Sequence, residues 1–484
     1  MFRWRLGHAP TTGMAAGTTT LHDTSLPRIT RVALVAPGGS GKTRTACAML
    51  DAVVRKAGPN PPPNYCVFIA HLTPLIDQCS RALVKEGIEA HGVIQAKHPR
   101  YRPWAPIQVA SRDTLLAQAR RGKLLVPAPK FIIVDEAHTA ASEGYVRILH
   151  ELYPGAFVIG LTASPWRLDG QGLKKLFQAM VVGATYKELF SAGYIVPPRA
   201  FVPPPPSMQG VKLVGGDYDT GEASERYRDE HTIGDVIAQW KLHGENRPSV
   251  YFTCDIEHSK ALTRAFVAAG VPSEHIDGTM PYADLRAIEG RVQSGETRII
   301  TNCSKLREGW DLPIISCVGL TRPTKSLSLY IQQAVRGDRS YPGKTDFVLL
   351  DHAGCVLSFG LPTDDRPWSL EDRDVEERDG GAPVKGCPAC YAACPAAAKV
   401  CHECGHVFAA AAAEPEEPKD QSATGAQLVE FQPWMAKQEP LPWAEEDMAR
   451  LRVAVKRPRQ PSLPSVGGSY QSKPWTSRPS GRSR

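Results

Sequence analysis

Six consecutive residues, Gly38-Gly39-Ser40-Gly41-Lys42-Thr43, put three glycines next to a lysine and a hydroxyl. Glycines let the backbone N–H groups of such a run converge on one concavity that cradles phosphate oxygens. A helix beginning there adds the positive end of its dipole. Lys42 can reach the β- and γ-phosphates of a nucleotide, and the Thr43 hydroxyl can ligate Mg2+. The flanks suit that use, with apolar RVALVA before the loop and helical TRTACAMLDAVVRKAG after it. The common phosphate-loop pattern opens on glycine; here its first position is Ala36.

Further along, KFIIVDEAHTAA sets Asp135 and Glu136 directly after four apolar residues. In a parallel sheet, carboxylates so placed stand at the C-terminal strand edge, where ligands bind. Asp135 is expected to complete the Mg2+ shell through water, and Glu136 to orient and polarise the attacking water. His138 follows closely enough to sense the γ-phosphate or to couple to a neighbouring domain.

Of 12 cysteines, five fall between positions 387 and 404. The run CPACYAACPAAAKVCHECGH contains Cys387-x2-Cys390 and Cys401-x2-Cys404, two knuckles that suit a tetrahedral, structural Zn2+. Gly405 allows the tight turn after the second pair; Cys394 is spare, and His402 and His406 are weaker ligand candidates. A module of this kind can grip nucleic acid, staple a fold or contact a protein. The other seven cysteines lie scattered through apolar runs and read as buried free thiols, which points to a reducing cytoplasm rather than a disulfide framework.

QQAVRGDRS, residues 332–340, has three readings. Arg336-Gly337-Asp338 spells an adhesion tripeptide, Gln332, Arg336 and Arg339 have the spacing of an arginine-finger segment, and the stretch could simply be a polar helix face. Positions i, i+4 and i+7 share one helical face if the helix continues that far.

These residues need scaffolds. Hydrophobic content of 42% and charged content of 22% are those of a soluble globular chain, and 484 residues suggest two to four domains. A net charge of +7 permits nucleic acid without requiring it. No apolar run approaches the ~18 residues of a membrane span, and MFRWRLGHAP lacks the apolar stretch of a secretory signal. Strand-like and helix-like runs alternate twice, which predicts two α/β domains with parallel sheets. The expected divisions are a flexible segment (1–27), a nucleotide domain (28–198), a Pro-rich linker (199–234), a second α/β domain (235–360), a linker (361–384), a zinc ribbon (385–408) and a mostly disordered basic tail (409–484). Trp434, Trp443 and Trp475 in that tail are candidates for base stacking.

The ordered set of segments resembles the superfamily 2 helicases and translocases of the DEAD/DEAH-box type, especially phage and prophage-type members. APGGSGKT resembles motif I, whose usual form in this group starts with alanine. AHLTPLIDQ resembles motif Ia, VASRDTL motif Ib, DEAH motif II, GLTASPWRLDGQGL motif III with its extension, VYFTCDIEHSKAL motif IV, TNCSKLREGWDLP motif V and QQAVRGDR motif VI. The resemblance spans about residues 30–405. It implies two tandem RecA-like domains with ATP in the cleft between them. It implies that Arg336 and Arg339 cross the cleft as arginine fingers, that Thr162 and Ser164 couple hydrolysis to strand binding, and that Glu308, Gly309 and Asp311 link the second domain to nucleotide and strand. Three departures stand out. No adenine-reading Gln segment precedes the first strand, Val335 replaces the usual glycine before the first finger, and Asp338 stands where an apolar residue is commoner.

The expected function is an ATP-dependent nucleic-acid helicase or translocase (an ATP hydrolase) using Mg2+, with a separate Zn2+ and with DNA rather than RNA as the strand. Its protein partners are not legible. Two alternatives remain: a nucleic-acid-stimulated ATPase that remodels protein–DNA complexes without unwinding, and a catalytically degenerate, zinc-containing nucleic-acid-binding protein.

Overall fold

The computed structural model describes residues 29–408 apart from positions 59, 63–64, 96–97, 127, 141, 168–169, 304–305, 307–309 and 373–382. The segment 1–27, the basic tail with its tryptophans, and Glu308 and Gly309 therefore lie outside the described residues.

Seven strands form the first sheet: β1 (Arg31–Val35), β2 (Cys66–Ala70), β3 (His91–Ile94), β4 (Ile107–Ser111), β5 (Phe131–Val134), β6 (Phe157–Thr162) and β7 (Ala179–Val182). They run parallel in the order β3-β4-β2-β5-β6-β1-β7. Parallel neighbours need long crossovers, here carried largely by α1 (Lys42–Lys56), α2 (Thr73–Lys85), α3 (Arg112–Arg120) and α4 (Glu143–Val146), which runs on into a π-helical turn. Strands such as CVFIA and FIIV are buried along their whole length because helices cover both faces. Alternation then divides β2 between two cores, with Val67 and Ile69 in one and Cys66, Phe68 and Ala70 in the other.

After α5 (Tyr186–Ser191) the chain builds a second sheet. Between β8 (Pro198–Phe201) and β11 (Ser249–Thr253) lie the small hairpin β9 (Leu213–Val214) and β10 (Asp217–Tyr218), then α6 (Thr220–Tyr227) and α7 (Glu230–His243). There follow α8 (Ile256–Ala268), β12 (Ser273–Ile276), α9 (Tyr282–Ser294), β13 (Ile299–Asn302), β14 (Cys317–Thr321), α10 (Leu327–Ala334), β15 (Phe347–Asp351) and α11 (Cys355–Phe359). The order is β12-β13-β11-β14-β15-β8, again all parallel. Asp255 caps α8 by accepting from the His258 N–H at 2.7 Å. A two-stranded ribbon, β16 (Val384–Gly386) and β17 (Ala393–Pro395), closes the described chain.

Two stretches read as linkers are built into the domains. Residues 199–234 carry most of β8, the hairpin, α6 and the start of α7. Pro198 is the first residue of an edge strand, where a missing N–H is tolerated, and Pro203–Pro206 follow the strand closely, so the prolines hid it. Within 361–384, residues 366–372 return to the first domain. Trp368 packs at a tilt on Trp166, ring centres 5.1 Å apart, Trp166 Nε1 donates to Glu371 O at 3.2 Å, and Lys174 N donates to Leu370 O at 2.9 Å. Trp166 itself is buried in the second domain's core.

Candidate active site

The loop after β1 turns through two left-handed glycines, Gly39 at φ +72° and Gly41 at φ +82°. Only glycine adopts that region at little cost. Lys42 starts α1, and its Nζ donates to Ala36 O and Pro37 O, both at 2.9 Å. Burial pushes the Lys42 ammonium down, partly offset by the nearby carboxylates of Glu136 and Asp135. β5 and β6 are neighbours in the sheet, and β6 lies beside β1, so Asp135, Thr162 and Ala36 share one strand edge. Burial pushes the Asp135 carboxyl up to about 7, with the Glu136 charge adding to the effect and Lys42 opposing it. Glu136 holds a left-handed backbone, φ 48°, an uncommon conformation for a residue with a side chain and one that marks functional turns.

The second domain brings its own cations to this edge. Arg339 lies against the glycines. A Cβ on Gly39 would sit 2.7 Å from Arg339 Nη1 and 2.6 Å from Ile195 Cγ2. Arg339 Nε donates to Asp311 Oδ1 at 3.0 Å, and its Nη1 donates to Asp338. Arg336 lines the same cleft but donates to backbone on its own side, to Gln332 O at 3.0 Å and Trp310 O at 2.7 Å. The continuous helical face expected for Gln332, Arg336 and Arg339 is not formed. α10 ends at Ala334, and a 3-10 turn over Val335–Gly337 follows, with Gly337 packed so tightly on Phe347 that a Cβ would lie 2.5 Å from its ring. Val335 is buried against Gly38, its Cγ2 3.1 Å from a Cβ there, so this departure fills space beside the phosphate loop. Asp338 is fully buried, and burial pushes its carboxyl up against the pull of Arg339 and Arg336. The cleft between the sheets encloses about 700 Å³ and is lined by Gly38, Gly39, Gly41, Lys42 and Thr43 on one side and by Asp311, Gln332, Arg336 and Arg339 on the other. Ser40 is in the same loop, its buried hydroxyl without a hydrogen-bond partner among the described residues.

Comparison with known proteins gives the same two halves. Residues 18–167 match the family model described as type III restriction enzyme, res subunit, and residues 233–340 match the helicase conserved C-terminal domain. The chain belongs to the superfamily 2 helicases. A 51.5 kDa protein of a Lactococcus phage (isolate 7-9) is 25% identical over 375 residues, 77% of each chain. The putative mitochondrial ATP-dependent helicase irc3 of Schizosaccharomyces pombe is 27% identical over 365 residues, 72% of this chain but only 57% of the yeast protein. A fragment of a putative HsdR subunit of a type I restriction enzyme from Vibrio vulnificus YJ016 shares the fold, with TM-score 0.53 at 20% identity over 69% of this chain and 62% of that one.

In this superfamily 2 helicase a polar chain links the two domains. His138 Nδ1 lies 3.4 Å from Glu136 Oε2 and 3.3 Å from Thr162 Oγ1, and its Nε2 lies 3.1 Å from Gln332 Nε2. The amide as placed donates to Nε2, which puts the ring proton on Nδ1. Thr162 donates to Ser164 O at 2.6 Å. Ser164 Oγ meets Ser328 Oγ at 2.8 Å, and Ser328 donates to Trp166 O at 2.7 Å. Sequence reasoning missed Ser328 and Ile195. Ser328 is one of several hydroxyls on a buried helix, and Ile195 precedes a strand hidden by prolines.

The ribbon places four sulfurs, those of Cys387, Cys390, Cys401 and Cys404, within 4.8 Å of one another. Cys387–Cys404 and Cys390–Cys401 are each 3.7 Å, against the edge of about 3.8 Å that a tetrahedron with ~2.3 Å Zn–S bonds would have. Burial pushes the Cys401 thiol up, but the N–H groups of Cys404 and Glu403, with the thiols of Cys390 and Cys404, outweigh it and bring it down to about 6, while burial raises the neighbouring Cys390 thiol. Gly405 turns at φ +74°. Cys394 stands outside the set and donates to Cys401 Sγ at 3.7 Å.

Proposed function

We propose that this chain is an ATP-driven nucleic-acid helicase or translocase acting on DNA rather than RNA. One observation carries the reading: Arg339 of the second domain lies against Gly38 and Gly39 of the first, in a cleft that also holds Lys42, Thr43, Asp135 and Glu136. ATP with Mg2+ would supply a phosphoryl group for transfer to water. Lys42 would exchange its carbonyl partners for phosphate oxygens, Thr43 and Asp135 would hold the metal, and Glu136 would orient the water. Arg339, with Arg336 beside it, would meet the charge that develops on the transferring oxygens. Because that charge is met from the other domain, turnover and domain closure become one event. The chain from Thr162 through His138 to Gln332 would pass that event to the strand-binding side. A restriction enzyme acts on DNA, so the first-domain match favours DNA. The buried free cysteines suit a reducing cytoplasm, and no helix among the described residues is long and apolar enough to cross a membrane.

The test is ATP turnover measured in parallel without nucleic acid and with single-stranded DNA, duplex DNA and RNA, beside a strand-displacement assay. Stimulation by DNA with displacement supports a helicase. Stimulation without displacement leaves a translocase that remodels bound proteins. Turnover no higher than that of Lys42→Ala would leave a non-catalytic nucleic-acid-binding protein.

A further inference from the structure

The ribbon is joined to the second domain more closely than an appended module would be. β8 is the last strand of the second sheet, with its inner edge on β15. An open outer edge would expose unpaired backbone groups. The ribbon covers it: Val202 N donates to Tyr391 O at 2.7 Å, and Phe201 bridges to Ala392. Cys387, Cys401 and Cys394 are buried in one cluster with Phe201, Trp240 and Tyr251 of the second domain. Arg199 on β8 forks onto both carboxylate oxygens of Glu403, at 3.1 and 3.2 Å.

The ribbon's charge does not suit a nucleic-acid grip. Residues 383–408 contain two lysines and no arginine. Lys385 is committed inward, its Nζ 2.7 Å from Ala398 O and 3.9 Å from the centre of the Phe408 ring. A segment this short cannot bury enough apolar surface to fold alone and needs a cross-link.

We propose that a Zn2+ held by Cys387, Cys390, Cys401 and Cys404 is an internal staple of the second RecA-like domain, fixing the ribbon as the cover of β8. The partner of this site is the chain's own sheet edge. The same segment carries the consequence to the cleft, because Val196 N, just before β8, donates to Asp338 O at 2.8 Å next to Arg339.

Hydrogen exchange read by mass spectrometry on the full chain tests this, with zinc content from elemental analysis. The comparison is the metal-loaded chain against the same chain treated with a chelator. The expected result is one zinc per chain, and on chelation a rise of about tenfold or more in exchange at residues 198–202 and 236–243, with 131–134 in the first sheet unchanged. Cys387→Ser combined with Cys390→Ser should reproduce it; if that variant does not fold, the chelated wild type carries the measurement. Three results overturn the proposal: no bound zinc, loss of protection confined to 384–407, or unchanged exchange at 198–202 with loss of DNA binding, which would make the ribbon a strand contact.

Discussion

Arg339 and Gly39 come from different domains, yet a single added methyl group on Gly39 would lie 2.7 Å from the arginine's Nη1. Gly39→Ala should therefore disturb three things, a left-handed turn costing ~1–2 kcal/mol for a side-chain residue, the packing of Ile195, whose Cγ2 would lie 2.6 Å from the new methyl, and the approach of the arginine. Turnover should fall about a hundredfold, as expected for a misplacement on the ångström scale. Gly41→Ala is the comparison: it has the same kind of φ, but no atom lies within 4 Å of a Cβ there. Steady-state hydrolysis should rank the wild type above Gly41→Ala and Gly41→Ala above Gly39→Ala. Equal rates for the two variants would mean that the contact with Arg339 does not matter.

Arg339→Ala and Arg336→Ala should each lower turnover by about 10³, the scale of an arginine finger, and leave nucleotide binding within a few-fold. Single-turnover hydrolysis and binding of a fluorescent nucleotide separate the two. Both losses should also lower thermal stability: Arg336 gives up its bonds to Gln332 O and Trp310 O, and Arg339 leaves the buried Asp338 carboxylate without its partner, the larger cost of the two. Wild-type hydrolysis in both variants removes the finger assignment.

The Asp135 carboxyl, raised to about 7 mainly by burial, makes a signed forecast. Its proton is held more tightly in the folded chain than in the unfolded one, so its contribution is fully present below the unfolded value. That contribution is lost as pH rises through about 7. Buried His258 and His352, held down to about 4 and about 3, pull the other way by costing stability as pH falls, so the forecast is a difference between chains: from pH 5.5 to pH 8 the nucleotide-free wild type should lose melting temperature relative to Asp135→Asn. Asp351, raised to about 6 by burial, adds to the same trend and is unchanged in that comparison. Melting curves of both chains across this range suffice. Parallel slopes would show that Asp135 ionises normally.

His138→Ala removes the group that stands between Glu136, Thr162 and Gln332. The ratio of DNA-stimulated to unstimulated turnover should drop by about 5- to 100-fold, the range of typical coupling energies. Matched assays with and without single-stranded DNA give the ratio directly. An unchanged ratio would place the coupling elsewhere, with Ser164 and Ser328 the next pair to test.

The site was more legible than the scaffold around it. Lys42, Thr43, Asp135 and Glu136 announce themselves because phosphate and metal chemistry needs fixed types at short spacing, and they stand where the loop after β1 enters α1 and directly after the end of β5. Arg339 was readable as a residue but not as a geometry, since the break of α10 depends on Phe347 from a later strand. β8 was not readable, because its prolines mimic a linker and its strand character comes from pairing with β15. β3 and β12 are four residues each, too short for periodicity to separate from a loop. The cysteine spacing picked out the four sulfurs that the ribbon brings together, while the ribbon's packing on β8 lay in tertiary contacts that no local pattern carries.

The return of residues 366–372 to the first domain bears on how the two halves can move. The backbone passes from one sheet to the other after β7, and Leu370 O on Lys174 N, with Asp372 Oδ1 accepting from Gly172 N at 2.9 Å, makes a second attachment well away along the chain. Bodies joined at one point can swing in any direction; joined at two, they keep a single pivot line and lose the sideways degrees of freedom. Any opening of the cleft would then follow one arc, and an arginine drawn off the phosphate loop would have one path by which to come back.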